Sequence, residues 1–266
     1  MDLGTVIGLI AGFSIITFGI INGDGNPANF INWNSVLIVL GGTIAATLVN
    51  YPLKVFLGVG SILKNAFTKG SYDYIETIEE IVEKAEKARK NGLLSLEGDL
   101  DKIESSFLRK GIDLAINERD AVRLREYLNL ELNNINSRHV AGQEMFLYMG
   151  SYAPAFGMLG TVLGLIVMMN NFGGSGEESM YFDVSQKFEK LLGGMGLALI
   201  TTFYGVLLSN LVFLPIGGKL KRKSEDELML KNIAVEGIIS IHAKEHPLLI
   251  REKLMTFIPS NLRVEK

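Results

Sequence analysis

Four apolar stretches divide the chain, at about residues 3–21, 35–52, 145–172 and 191–218, and none contains a charged side chain. A helix rises about 1.5 Å per residue, so runs of this length match a hydrocarbon core of roughly 30 Å. The pattern predicts an all-α, polytopic membrane protein with four transmembrane helices. The first two stretches are joined by NGDGNPANFINW, a run of turn formers closing on Trp33, which reads as a helical hairpin with an interfacial aromatic. The first stretch lacks a basic leader and a small-x-small cleavage site, so it is expected to stay in the membrane.

Between the hairpin and the third stretch, residues 53–144 form a polar segment expected to be a helical cytoplasmic domain. Tyr72 to Lys90 places Ile75, Ile78, Val82 and Ala85 on a charged background and ends at Asn91 and Gly92, an amphipathic helix with a C-cap. Phe107 to Lys110 precedes Gly111, which is expected to close another helix. From Arg119 onward, Val122, Leu128, Leu132 and Ile135 lead toward the third span. After residue 218, KLKRKSEDE carries the fourth helix outward and 234–244 continues it. His246 and Pro247 break it, and 248–258 forms a last short helix. No stretch alternates as a strand would. The expected domains are 1–52, 53–144, 145–218 and 219–266.

The third and fourth spans share a second pattern. Pro154, Gly157, Thr161 and Gly164 recur at helical spacing on one face, with Gly160 and Gly164 forming a GxxxG. The fourth span answers with Gly194, Ala198, Thr201, Thr202, Gly205 and Ser209. If the two are antiparallel, Thr161 and Thr202 each lie sixteen residues from the same membrane edge, a depth of about 24 Å. Small residues let helices approach closely in lipid, so packing alone accounts for the pattern as readily as a lined path does.

Charge adds an orientation. Residues 1–50 contain no Lys or Arg, 51–144 contain fourteen, and the loop between the last two spans has only Lys187 and Lys190. A further ten follow Gly218, so 24 of the 26 fall in two segments that the positive-inside rule assigns to the cytoplasm, with both termini. The 51–144 segment also carries sixteen acidic residues, so it is a mixed-charge domain with no polybasic patch for lipid. No nucleic-acid partner is expected.

Composition narrows the chemistry. Zero cysteines exclude disulfides and thiolate sites, and His139, His242 and His246 have no metal-ligand spacing around them. There is no phosphate-binding loop, because Gly173, Gly174 and Gly176 run into Glu177 and Glu178. No Ser, His and Asp constellation is defensible, so no enzyme activity and no cofactor are expected. The four spans hold no Asp, Glu, Lys, Arg or His, whereas proton relays and most ion pathways need such a group at membrane depth. Hydroxyls at Thr161, Thr201 and Thr202 can coordinate a cation or hydrogen-bond to a carboxylate, but they carry no proton near neutral pH. A partner helix bearing an acidic residue and docked on the small-residue face would complete such a site.

Four motifs in order carry a family resemblance: AEKARKNGLLSLE at 85–97, YAPAFGMLGTVLGLI at 152–166, LGGMGLALITTFYGVLLSNLVFLPIGGKL at 192–220 and EGIISIHAKEHPLLIREKLMTFIP at 236–259. With these the sequence resembles the MotA and PomA subunits of the bacterial flagellar stator. The related ExbB and TolQ proteins look like three-span proteins without the cytoplasmic motif, and an energiser of that type is the alternative reading. The resemblance implies a multi-pass inner-membrane protein, assembled as a ring thought to be five subunits around a MotB or PomB dimer that supplies a membrane aspartate. Ion flow, of H+ or Na+, would turn the ring, and cytoplasmic charges would push on the rotor protein FliG.

Position by position, the resemblance implies rotor contacts at Arg89 and Glu97, with Lys90 beside them. Pro154 and Pro215 match the family prolines, read as kinks or as a hinge coupled to the partner aspartate. Thr161 and Thr202 match hydroxyl positions that accompany sodium use, and oxygen ligands suit a hard cation, so transient Na+ there is slightly favoured over H+. A threonine can equally bond to the carbonyl one turn back.

Overall fold

A computed structural model describes residues 2–68, 70, 72–172 and 184–259. Among them the chain forms eleven α-helices and no strand. Contacts divide it into two units, residues 1–69 with 141–220, and residues 70–140 with 221–266.

The first unit holds the apolar helices. Helix α1 (Leu3–Asn22) buries no residue and exposes Leu3, Ile7, Ile10 and Phe18, the pattern of a helix whose solvent is lipid. A short 3-10 turn (Pro27–Phe30) leads to α2 (Trp33–Val36), a π-turn (Leu37–Gly41) and α3 (Gly42–Asn50), which run as one span. Ser35, Val39, Thr43 and Thr47 are fully buried at intervals of four residues. This inward polar stripe is self-satisfied, since Thr43 Oγ1 donates to the Val39 carbonyl at 2.6 Å and Thr47 Oγ1 to that of Thr43 at 2.7 Å. Helices α4 (Leu53–Leu57) and α5 (Val59–Phe67) follow.

The last two spans belong to much longer helices. Helix α8 (Ala121–Phe172) is continuous through Pro154 over 52 residues, so the third span has no helix start of its own at Met145. Helix α9 (Val184–Leu207), a second π-turn (Leu208–Phe213) and α10 (Leu214–His242) form the other. The π-turn lies just before Pro215, which has no N–H and whose ring crowds the preceding turn. There the backbone widens, and Leu214 N–H reaches the Ser209 carbonyl. All four sequence-predicted spans fall on helices long and apolar enough to cross a membrane.

In the second unit, α6 (Tyr74–Asn91), a 3-10 segment (Leu93–Lys102), α7 (Ser106–Asn117) and α11 (Pro247–Met255) pack with the polar parts of α8 and α10. Ile78, Ile81, Ala85 and Ala88 of α6 join Leu108, Ile112, Leu128, Ile238 and Ile250 in the core. Asp73 caps α6 by accepting from the N–H groups of Ile75 and Glu76, and Gly92 ends it with φ at +83°. His246 caps α11 through Nδ1, and Pro247 takes the first helical position.

One expectation fails here. Gly111 does not close a helix: α7 runs through it to Asn117. A Cβ at Gly111 would lie 2.3 Å from Ile238 Cδ1, so the glycine is there to admit α10 and not to stop α7.

Candidate functional site

The two small-residue faces meet each other. A Cβ on Gly157 would lie 2.9 Å from the Thr201 carbonyl and 3.2 Å from Gly205 Cα, and one on Gly160 would lie 2.6 Å from Thr201 Cβ. Gly164 opposes Ala198 at 3.1 Å and Gly194 opposes Met168 at 2.7 Å. From Gly205, the same construction meets the Ala153 carbonyl at 2.7 Å and Pro154 Cα at 3.1 Å. Positions rise along α8 as their partners fall along α9, so the pair is antiparallel as expected, with Thr161 beside the Gly160–Thr201 contact.

This packing changes the expected docking of a partner helix on the small face. That face is filled by the chain's own neighbour, with backbone against backbone. Thr201 is fully buried, its Oγ1 donating to the Ala198 carbonyl at 2.7 Å. Thr161 and Thr202 are only half-buried. Thr161 Oγ1 donates its proton to the Met158 carbonyl at 2.6 Å, which leaves its lone pairs able to accept or coordinate. Pro154 is half-buried and Pro215 exposed. The hydroxyls of Thr161 and Thr202 therefore lie at the margin of the helix pair and not between its faces.

Other contacts carried no sequence pattern. Tyr204 donates its hydroxyl to the Phe30 carbonyl, pinning the 22–33 loop to α9. Lys219 donates to the Asp2 carboxylate and the Thr5 hydroxyl, tying α10 to the start of α1. The Lys219 hydrogen bond holds the Asp2 carboxyl below its usual range against some desolvation. Pro215 lines a cavity of about 410 Å³ with both members of this pair.

In the second unit, Arg89 and Lys90 end α6 and Glu97 sits on the 3-10 segment, all three exposed and without an ion pair among the described residues. Two residues beyond Glu97, Asp99 is buried and paired with Lys87 of α6 and with Lys102 at 3.0 Å. Hydrogen bonds from those two lysines bring the Asp99 carboxyl down to about 2. Sequence reading missed this clamp because its members lie among many charges of both signs. A groove of about 730 Å³ runs from Arg89 and Lys90 to His246 and Leu248 of α11. Among the described residues no cluster of His, Cys, Asp or Glu could hold a metal ion.

Residues 99–232 match the MotA/TolQ/ExbB proton channel family. Across nearly the whole chain, the sequence is 34% identical to the chemotaxis protein PomA of Vibrio alginolyticus, covering 99% of this chain and 98% of that one. It is 36% identical to motility protein A of Aquifex aeolicus, covering 95% of each. The fold superposes on the flagellar MotAB stator complex from Bacillus subtilis with a TM-score of 0.85 at 28% identity, over 97% of both chains. Full-length likeness in sequence and in fold together makes the assignment: this chain belongs to the MotA/TolQ/ExbB proton channel family.

Proposed function

We propose that the chain is the larger membrane subunit of a flagellar stator, which forms an inner-membrane ion channel with a MotB/PomB-type partner and turns ion flow into torque on the rotor protein FliG. One observation carries the reading: the four spans contain no Asp, Glu, Lys, Arg or His beside the hydroxyls of Thr161 and Thr202, so a proton or Na+ relay needs a carboxylate from another polypeptide. The aspartate of a MotB-type helix is that group. Because the α8–α9 face is closed, this helix meets the margin bearing Thr161 and Thr202, and several copies of the chain, five in our reading, ring a partner dimer.

Na+ is the ion we favour slightly over H+, since the two threonine oxygens and a carboxylate make a set of hard ligands. Arg89, Lys90 and Glu97 are the rotor contacts, Pro154 and Pro215 the flexing points, and both termini face the cytoplasm. An ExbB/TolQ-like role would leave the exposed Arg89, Lys90 and Glu97 without a task, and the PomA and motility-protein relatives along the full chain favour the stator. In cells lacking a stator, the chain co-expressed with such a partner is expected to restore swimming. Ion conduction by the purified chain alone in liposomes, with no partner present, would overturn the reading.

A further inference from the structure

A cavity of about 270 Å³ opens in the second unit between α7, α8 and α10. Each helix turns one face to it at helical spacing: Ser106 and Lys110 from α7, Glu131, Ile135 and Arg138 from α8, and Glu227 and Lys231 from α10, with His139 beside Arg138. Buried Phe107 and Ile135 give it an apolar floor.

Its charges do not balance. Glu227 is taken by Lys231, whose ammonium also lies 5.8 Å from the centre of the Phe107 ring. His139 Nδ1 is engaged by Ser224 Oγ at 2.9 Å. Lys110 and Arg138 enter no ion pair among the described residues. Three permanent cations thus line the cavity against two carboxylates, a local positive excess on a chain whose net charge is −3. Cations gathered in a recess repel one another, and an anion there relieves the repulsion.

We infer that this cavity binds a small phosphate-bearing anion. The guanidinium of Arg138 suits two phosphate oxygens at once, while Lys110 adds a point charge. The volume falls just below the usual range for drug-sized ligands, which limits the occupant to inorganic phosphate or a short phosphomonoester. Glu131 repels a bare phosphate but accepts from a hydroxyl, so it favours the ester of a small polyol. The inference does not rest on the stator reading, and its test needs no swimming cell.

The full chain, purified in nanodiscs, is titrated by calorimetry at fixed ionic strength with inorganic phosphate and, separately, with glycerol 3-phosphate. Saturable binding of at least one probe is expected. Tighter binding of the ester identifies a phosphomonoester site, and equal binding identifies a phosphate site. Arg138→Gln and Lys110→Gln should each weaken binding about ten-fold, while Arg119→Gln, exposed and outside the cavity, should not. Phosphate should raise the melting temperature of the parent and not of the R138Q/K110Q double variant. No saturable binding of either probe, or a double variant that binds as tightly as the parent, would overturn the site.

Discussion

Ser209 donates its hydroxyl proton to the carbonyl of Gly150 at 2.6 Å, a buried hydrogen bond between α8 and the π-turn that precedes α10. A widened turn frees carbonyls that lipid cannot satisfy, and here a side chain locks the same turn to its neighbour. Ser209→Ala should lower the stability of the membrane unit by about 1 kcal/mol. Thermal unfolding of the purified chain in detergent checks this, and an unchanged transition would mean that the bond is not maintained.

Glycines in this unit should differ sharply in tolerance. A Cβ on Gly42 would lie 2.2 Å from the Phe156 ring, whereas one on Gly8 meets nothing within 4 Å. Gly42→Val should destabilise by about 1–3 kcal/mol through overpacking and reduce the amount of assembled protein in membranes. Gly8→Ala is expected to leave that amount unchanged, and equal losses for both would contradict the packing.

At the charged edge, Arg89→Ala combined with Glu97→Ala should abolish swimming while membrane levels stay at those of the parent. Both side chains are exposed and unpaired within the described chain, so neither supports the fold. Normal swimming of the double variant would remove the rotor assignment.

The Asp99 clamp has its own pH signature. Its folded carboxyl sits at about 2, below the reference value of 3.8, so the pairing with Lys87 and Lys102 stabilises fully above about 4 and is lost as pH falls toward 2. At neutral pH, Asp99→Asn should speed amide exchange across Leu93–Lys102 and lower swimming speed although Arg89 and Glu97 are intact. The parent should lose the same protection, measured relative to the intrinsic exchange rate at each pH, only on acidification through that window.

The coupling ion is tested by replacing Na+ with K+ at fixed ionic strength. Speed should fall in proportion to Na+ for the parent, and Thr161→Ala with Thr202→Ala should weaken that dependence. Equal speed in K+ would establish H+ as the ion.

Periodicity and charge are properties of a single segment, so the sequence by itself determined the four spans, the end of α6 at Gly92, and the small faces of α8 and α9. Each is set by spacing along one helix and by the solvent that helix can tolerate. Which surface a face meets depends on residues far apart in the chain, and that the tertiary structure alone decided. It showed Gly111 admitting Ile238 where a helix stop was expected, Gly160 enclosing Thr201, and Asp99 held between Lys87 and Lys102. A glycine is equally small beside a turn, a partner subunit or a neighbouring helix; only close packing in three dimensions distinguishes these roles.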